Sequence, residues 1–360
     1  MKLKILHVIN SLTPGGAETL LVNSLAPGGL QEQADNIVVY FQGTSALEKR
    51  IDSRVKIICL NYKGILSLPF VLGKLTRIIK ENNIDIVHSH LNPAGWYTKL
   101  ACPRGIPQVH TVHTTYSMDK ETHPLKLWFE KQLYFKRRDA HIILLSDYTR
   151  EDFLKALPFK GRSFVLHNFV ADAFFEKTAS SYEAGRNDLR VVSAGRLNSG
   201  KNIDYLLNVF SHIKNEEIVL DWYGAGDKTA YEHFIKDNGL KIKLMGQQDN
   251  MAELLYTYDL FIMPSKFEGF PLSVFEAMAA GVPLMLSDIA PLKGIVNDNA
   301  IYFALNDPRS VADTLLNILE KKTDITAMAT KAKAYAEQTV RRERYLHNLL
   351  EIYQQVLQQH

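Results

Sequence analysis

A chain of 360 residues, 46% hydrophobic and 22% charged with a net charge of +3, has the composition of an ordinary globular protein. One compact domain stops growing at about 250–300 residues, so two domains are expected. The two cysteines, Cys59 and Cys102, stand outside any zinc-type or C-x-x-C spacing, which argues against a disulfide framework or a structural metal and suits a reducing compartment. No segment reaches the roughly 20 apolar residues of a spanning helix, and the basic then apolar start is too short for a signal peptide. A cytoplasmic protein is expected, peripheral at most, at the inner face of a membrane, with no nucleic-acid partner.

The first predicted strand, Leu3–Ile9, leads into Thr13-Pro14-Gly15-Gly16-Ala17-Glu18 and a helical run Thr19–Ala26. Glycines there let backbone amides approach an anion, and the helix N-terminus adds partial positive charge; the same residues equally suit a tight strand–helix turn. Further strands are predicted at Asn36–Phe41, Val55–Leu60, Ile84–His88, Gln108–Val112, Ala140–Leu145 and Ser163–Leu166. These are continuous apolar runs, as in parallel strands buried on both faces, and helical stretches separate them. His88 and His90 have the spacing of a metal pair but read better as alternation at the end of a parallel strand. The helix Leu125–Arg138 mixes Lys126, Lys131, Lys136, Arg137 and Arg138 with Trp128, Phe129, Leu133, Tyr134 and Phe135. Such a helix can lie at a bilayer surface or pack its aromatics inward, and Gly64–Leu72 is a second candidate for membrane contact. Residues 1–170 carry 22 Lys and Arg against 14 Asp and Glu, a balance of +8, and the remainder 20 against 25, or −5, which makes the stated +3. An anionic membrane surface is therefore an expected partner of the first half.

The polar stretch Phe175–Gly185 divides the chain. The expected organisation is an N-terminal domain over 1–172, a linker over 173–188, a C-terminal domain over 189–335 and a last helix over 336–360 that returns to the first domain. Second-half strands are predicted at Leu189–Ala194, Glu217–Tyr223, Ile242–Met245, Leu260–Met263, Pro283–Leu286 and Ala300–Phe303. After the first of these comes Ala194-Gly195-Arg196-Leu197-Asn198-Ser199-Gly200-Lys201-Asn202, then an amphipathic helix with Ile203, Leu206, Leu207, Phe210 and Ile213 on one face. Arg196 and Lys201 leave a loop at a strand's C-terminal edge, where two cations suit a diphosphate. Next comes Tyr223-Gly224-Ala225-Gly226-Asp227. The third glycine of a dinucleotide fingerprint is missing, and no acid ends the second strand, which disfavours an NAD-dependent oxidoreductase. Last, Met263-Pro264-Ser265-Lys266-Phe267-Glu268-Gly269-Phe270-Pro271-Leu272 leads to Glu276 and Gly281. Pro271 is expected as the first helical residue and Gly281 as the stop. Carboxylates at Glu268 and Glu276 can accept hydrogen bonds from sugar hydroxyls.

In this order, Gly-Gly-Ala-Glu, Gly-Arg-Leu-x3-Lys-Asn, Gly-x-Gly-Asp and Glu-Gly-Phe-Pro-x4-Glu, the chain resembles the family 4 retaining glycosyltransferases over residues 3 to about 305. Leu145-Ser146-Asp147-Tyr148-Thr149, Asn168 and His113 match as well, while Asn168-Phe169-Val170-Ala171-Asp172 departs from the family's Asn-Gly-(Val/Ile)-Asp. The resemblance implies the GT-B fold: α/β, with two Rossmann-like domains facing a central cleft. It implies that Arg196 and Lys201 hold the donor's diphosphate and that Gly15 and Gly16 approach phosphate. It further implies that Glu276 binds ribose, that Glu268 binds the transferred sugar and that His113 lies near the reacting sugar. Gly195, Gly224, Gly226, Gly269, Phe270 and Leu272 complete the implied donor loops. The expected reaction is transfer with retention from a nucleotide-sugar, UDP-linked by preference and GDP-linked next, to a glycan or lipid-linked acceptor in envelope, capsule or exopolysaccharide synthesis. It proceeds by front-face displacement, without metal or cofactor, since no Asp-x-Asp occurs. The rivals are a sugar-nucleotide epimerase of the same fold and a non-catalytic sugar-nucleotide-binding protein.

Overall fold

The computed structural model describes all residues except 1, 44, 114, 116–123, 138, 139, 158, 160, 178–186, 359 and 360; within a helix, 124–127, 135 and 136 are described by backbone alone. The chain forms two compact units, Met1–Asn168 with Arg342–His360, and Phe169–Arg341.

The first unit begins with β1 (Leu3–Ile9) and α1 (Gly16–Ser24). It continues with β2 (Ala34–Tyr40), β3 (Lys56–Cys59), α2 (Leu68–Glu81), β4 (Ile86–His90), α3 (Ala94–Ala101) and β5 (Gln108–Val112). Then come α4 (Pro124–Lys136), β6 (Ala140–Leu144), α5 (Asp147–Ala156) and β7 (Ser163–Val165). Its seven strands lie parallel in the order β3-β2-β1-β4-β5-β6-β7. Ile5, Leu6, Val8 and Ile9 are all fully buried. β1, an inner strand, is covered on both faces, and this is why it reads as an unbroken apolar run. The Ser146–Thr149 segment is a capping box: Ser146 Oγ accepts from the Thr149 amide at 3.2 Å, and the Ser146 amide donates to Thr149 Oγ1 at 3.0 Å. Each satisfies a backbone donor that the first turn of α5 leaves open.

The second unit holds β8 (Leu189–Ala194), α6 (Ile203–His212), β9 (Ile218–Tyr223), α7 (Thr229–Asn238), β10 (Ile242–Gly246), α8 (Met251–Leu255), β11 (Leu260–Met263) and α9 (Leu272–Ala279). β12 (Leu284–Ser287), α10 (Ala290–Val296), β13 (Ile301–Phe303), α11 (Pro308–Leu319) and α12 (Thr326–Thr339) complete it. Its sheet is again wholly parallel, in the order β10-β9-β8-β11-β12-β13. Of the expected linker, 178–186 lie outside the described residues. Its described start is a turn of 3-10 helix, Asp172–Phe175, whose Phe174 and Phe175 are buried in the core of the second unit.

The last helix, α13 (Arg342–Leu357), belongs to the first unit and buries Tyr345, Leu346, Leu349, Leu350, Ile352, Tyr353 and Val356. Pro271 is not the first helical residue. It caps α9, which begins at Leu272, because its ψ of 79° lies outside the helical region. Gly281 follows the helix at φ +75°, a stop that a side chain would strain.

Candidate functional site

In the second unit the strand order reverses at β8, which pairs with β9 on one side and β11 on the other. At such a switch point the loops leaving neighbouring strands diverge and open a crevice at their C-terminal ends. Here the loops are tied together by hydrogen bonds. The Gly195 amide donates to Tyr223 O and the Leu197 amide to Ala225 O, each at 2.8 Å, and the Lys266 amide reaches Gly200 O at 2.9 Å. Asn202, in the left-handed region at φ 59°, donates from Nδ2 to Pro264 O at 3.1 Å. Ser273 Oγ donates to Ala194 O at 3.0 Å, which fixes α9 against the end of β8. Gly224 and Gly226 stand at φ +150° and +143°; a Cβ on Gly224 would run into Gly195 O, and one on Gly226 would meet Leu197 Cβ at 2.6 Å. Both glycines are needed for the close approach of these two loops.

The charged groups converge on that edge. Lys201 Nζ donates to Glu268 Oε1 at 2.6 Å, with side chains only 22% and 9% exposed. The lysine stem crosses Gly195, where a Cβ would come within 3.0 Å of Lys201 Cδ. Arg196 is exposed at the same loop. Glu276 stands half-buried within α9, and the desolvation of its carboxyl raises it to about 7. Phe270 stacks on Phe275 with centroids 4.9 Å apart and planes at 7°, holding the loop that contains Gly269 against α9, whose first residue is Leu272. The structure thus brings Gly195, Arg196, Lys201, Gly224, Gly226 and Glu268 together in one unit. No sequence spacing signals the Lys201–Glu268 pair, which joins residues 67 positions apart.

In the first unit, Gly15 caps α1 and Gly16 opens it, with nothing within 4 Å of where a Gly16 Cβ would stand. Glu18 folds back over Gly15, and burial raises its carboxyl. The loops after β1 and β4 are joined: the Ala94 amide donates to Asn10 Oδ1 and Asn10 Nδ2 to Asn92 O, both at 2.9 Å. Asn92 Nδ2 in turn donates to buried Glu130 Oε1 at 2.9 Å. His113 follows β5; burial lowers it to about 4, so it is neutral at pH 7, and its Nε2 is buried with no hydrogen-bond partner among the described residues.

A buried imidazole cluster lies beneath, which the sequence reading missed. His88 and His90 do not alternate between core and water: two residues apart, they share one face of β4 beside His7 of β1, and all three are at most 2% exposed. Asn36 Nδ2 donates to Ala34 O and Gln31 Oε1, which turns its Oδ1 toward His7 Nε2 at 3.1 Å. His7 must therefore donate from Nε2, and its Nδ1 faces His90 Nε2 at 3.5 Å. His88 lies 2.7 Å from Thr111 Oγ1 through Nε2 and 2.6 Å from the Tyr353 hydroxyl of α13 through Nδ1. Burial lowers His7 to about 4 and His88 and His90 well below the usual histidine range. The three rings bring nitrogens within 4.8 Å of one another; His7 Nδ1 and His90 Nε2 face each other and both His88 nitrogens meet hydroxyls, while His90 Nδ1 is buried with no hydrogen-bond partner among the described residues. The signal available in sequence was three histidines within or just after two predicted apolar strands.

Both units are doubly wound α/β sheets, and the second places the Lys201–Glu268 pair and Arg196 at its switch point, where such sheets bind ligands. The family described as Glycosyltransferase Family 4 matches residues 14–174, and that described as Glycosyl transferases group 1 matches 188–321. The chain belongs to the family 4 glycosyltransferases of GT-B fold. It is 26% identical over 356 residues to the UDP-Gal:alpha-D-GlcNAc-diphosphoundecaprenol alpha-1,3-galactosyltransferase of Escherichia coli, covering 90% of this chain and 88% of that one. It is 22% identical over 343 residues to the capsular polysaccharide biosynthesis glycosyltransferase CapH of Staphylococcus aureus, covering 90% and 93%. Among solved structures, Anabaena Alr3699/HepE in complex with UDP and glucose superposes with a TM-score of 0.81 at 19% identity, covering 98% of this chain and 100% of that one. No described helix is long and apolar enough to cross a membrane.

Proposed function

We propose that this glycosyltransferase moves a sugar, with retention and without a metal, from a UDP-sugar to a glycan or lipid-linked acceptor in envelope polysaccharide synthesis. The observation that carries the reading is the Lys201–Glu268 pair beside Arg196 at the switch point of the second unit. An ammonium has three donors, so Lys201 can keep Glu268 and still reach a phosphate oxygen. Arg196 supplies a planar fork for the other phosphate. Both cations stabilise charge as the bond from sugar C1 to the phosphate oxygen breaks, the kind of electrostatic term worth about 3 kcal/mol in comparable sites. The new bond to the acceptor oxygen forms on the same face, and the acceptor proton passes to the departing phosphate. Glu268 accepts from the sugar's hydroxyls and Glu276 from the ribose. His113, neutral, offers a hydrogen bond to the transferred sugar. The Escherichia coli relative, whose name gives a UDP-sugar donor and a diphosphate-linked lipid acceptor, supports the donor base and acceptor class.

The test is to incubate the protein with UDP-sugars and GDP-sugars and a lipid-diphosphate-linked sugar, and to read the product's anomeric configuration by NMR. Transfer from a UDP-sugar with retained configuration, unchanged by chelator, is expected. An inverted product, or activity abolished by chelator and restored by magnesium or manganese, overturns the mechanism.

A further inference from the structure

The sequence offered two membrane-contact candidates, and the structure separates them. In α4, Trp128 and Phe129 are exposed, but Glu130, Leu133 and Tyr134 are buried, and Arg137 Nη1 donates inward to Lys99 O and Cys102 O at 3.1 and 2.8 Å. These described side chains tie the helix to the core, while the side chains of Lys126, Phe135, Lys136 and Arg138 lie outside the described residues. The turn before α2 is different. Ile65, Leu66 and Phe70 are 76%, 96% and 76% exposed. The turn that holds them out is bonded: the Lys63 amide donates to Ser67 Oγ at 3.0 Å, and both the Ser67 amide and hydroxyl donate to Gly64 O at 3.0 and 2.8 Å. The core does not need the three apolar residues, because α2 packs inward through Val71, Leu75, Ile78 and Ile79.

We propose that this turn and the outward stripe of α2 form a wedge that docks on an anionic lipid surface. The stripe runs Phe70, Gly73, Arg77, Lys80 at helical spacing, all exposed, with Leu66 just before it. It is apolar at its tip and cationic along its shaft. Arg77 stands about 10 Å up the axis from Phe70, a span that reaches from the acyl boundary through the headgroup layer. Between Val55 and Lys80 the chain carries five cations, Lys56, Lys63, Lys74, Arg77 and Lys80, against no acid; exposed Glu81 ends α2, so five cations face one acid and the stretch to the end of the helix keeps a balance of +4. That complementarity selects an anionic bilayer as the occupant: apolar tip at the interface, cations on the headgroups. The wedge is a surface of the first unit and stands independently of the transferase reading.

The full chain is sedimented with phosphatidylcholine vesicles with and without phosphatidylglycerol, at low and high salt, without donor or acceptor. Wild type is expected to sediment with the anionic vesicles and to be released by salt. Ile65→Ser, Leu66→Ser and Phe70→Ser together reduce partition about tenfold or more, and Arg77→Gln with Lys80→Gln roughly 30-fold at low salt. Thermal melts show that both variants stay folded, as exposed substitutions should. The proposal is overturned if wild type ignores anionic vesicles, or if the triple variant sediments as wild type does. It is overturned equally if, in vesicle-free sedimentation velocity, wild type self-associates and the triple variant does not, since the occupant would then be a second copy. Because no donor is present, failure here leaves the transferase reading standing, and a failed transfer assay leaves this one standing.

Discussion

Lys201 carries two roles that mutation can separate. Its ammonium neutralises Glu268 in a half-buried pair, and in the proposed reaction it also meets the leaving phosphate. Lys201→Ala should lower turnover about 10²–10³-fold, the usual cost of one preorganised charge-stabilising donor. It should also destabilise the second unit by about 1–3 kcal/mol, because the poorly exposed Glu268 carboxylate loses its ion pair with the ammonium. Lys201→Ala with Glu268→Gln should regain stability in urea denaturation and stay inactive. Recovery of activity in that double variant would remove Lys201 from catalysis. Glu276 gives a second residue-scale expectation. Its carboxyl is raised to about 7, so the folded protein holds a proton there that must leave before the carboxylate can accept from ribose. UDP affinity should therefore strengthen as pH rises from 6 to 8 and level off above, measured by calorimetry, and Glu276→Gln should flatten that slope. An unchanged slope in the variant places the titrating group elsewhere.

At the scale of elements, α13 is joined to the first sheet through a polar contact as well as an apolar one. Tyr353, fully buried, meets His88 Nδ1 at 2.6 Å. Tyr353→Phe keeps the packing and strands that nitrogen, a loss of about 1–2 kcal/mol. The cluster also makes this unit acid-sensitive. His7, His88 and His90 have lowered pKa values when folded and ordinary ones when unfolded, so their stabilisation is complete above about 6.5 and is lost as pH falls toward the folded values. From His7 alone, lowered to about 4, the loss is about 3 kcal/mol across that window. Urea denaturation at pH 7 and pH 5, followed by hydrogen exchange in β1 and β4, measures it. Equal protection of those strands at both pH values would mean that the imidazoles are charged or exposed in the fold.

For the whole molecule, the two units should respond differently to nucleotide. Every residue assigned to phosphate and ribose except Gly15 and Gly16 lies in the second unit. Saturating UDP, at 100 times its Kd, stabilises what it binds by about 2.7 kcal/mol. Hydrogen exchange with UDP should slow most over 195–202, 224–227 and 264–272. Protection confined to the first unit would contradict the donor assignment.

Much of this protein follows from its sequence alone. Thirteen strands were legible because strands buried on both faces are continuous apolar runs, and all thirteen are present to within two residues at each end. Gly224 and Gly226 were legible as glycines that a close backbone approach requires. What the linear chain does not contain is pairing between distant residues. Lys201 with Glu268, His7 with His90, and His88 with Tyr353 depend on which strands become neighbours and which face each side chain takes. Those are properties of sheet order and register, which a side-chain period of two leaves undetermined until the strands are laid side by side. The exposure of Leu66 and Phe70 is likewise a tertiary outcome: α2 and the turn before it hold apolar residues enough for a core face, and only packing decides which of them remain in water.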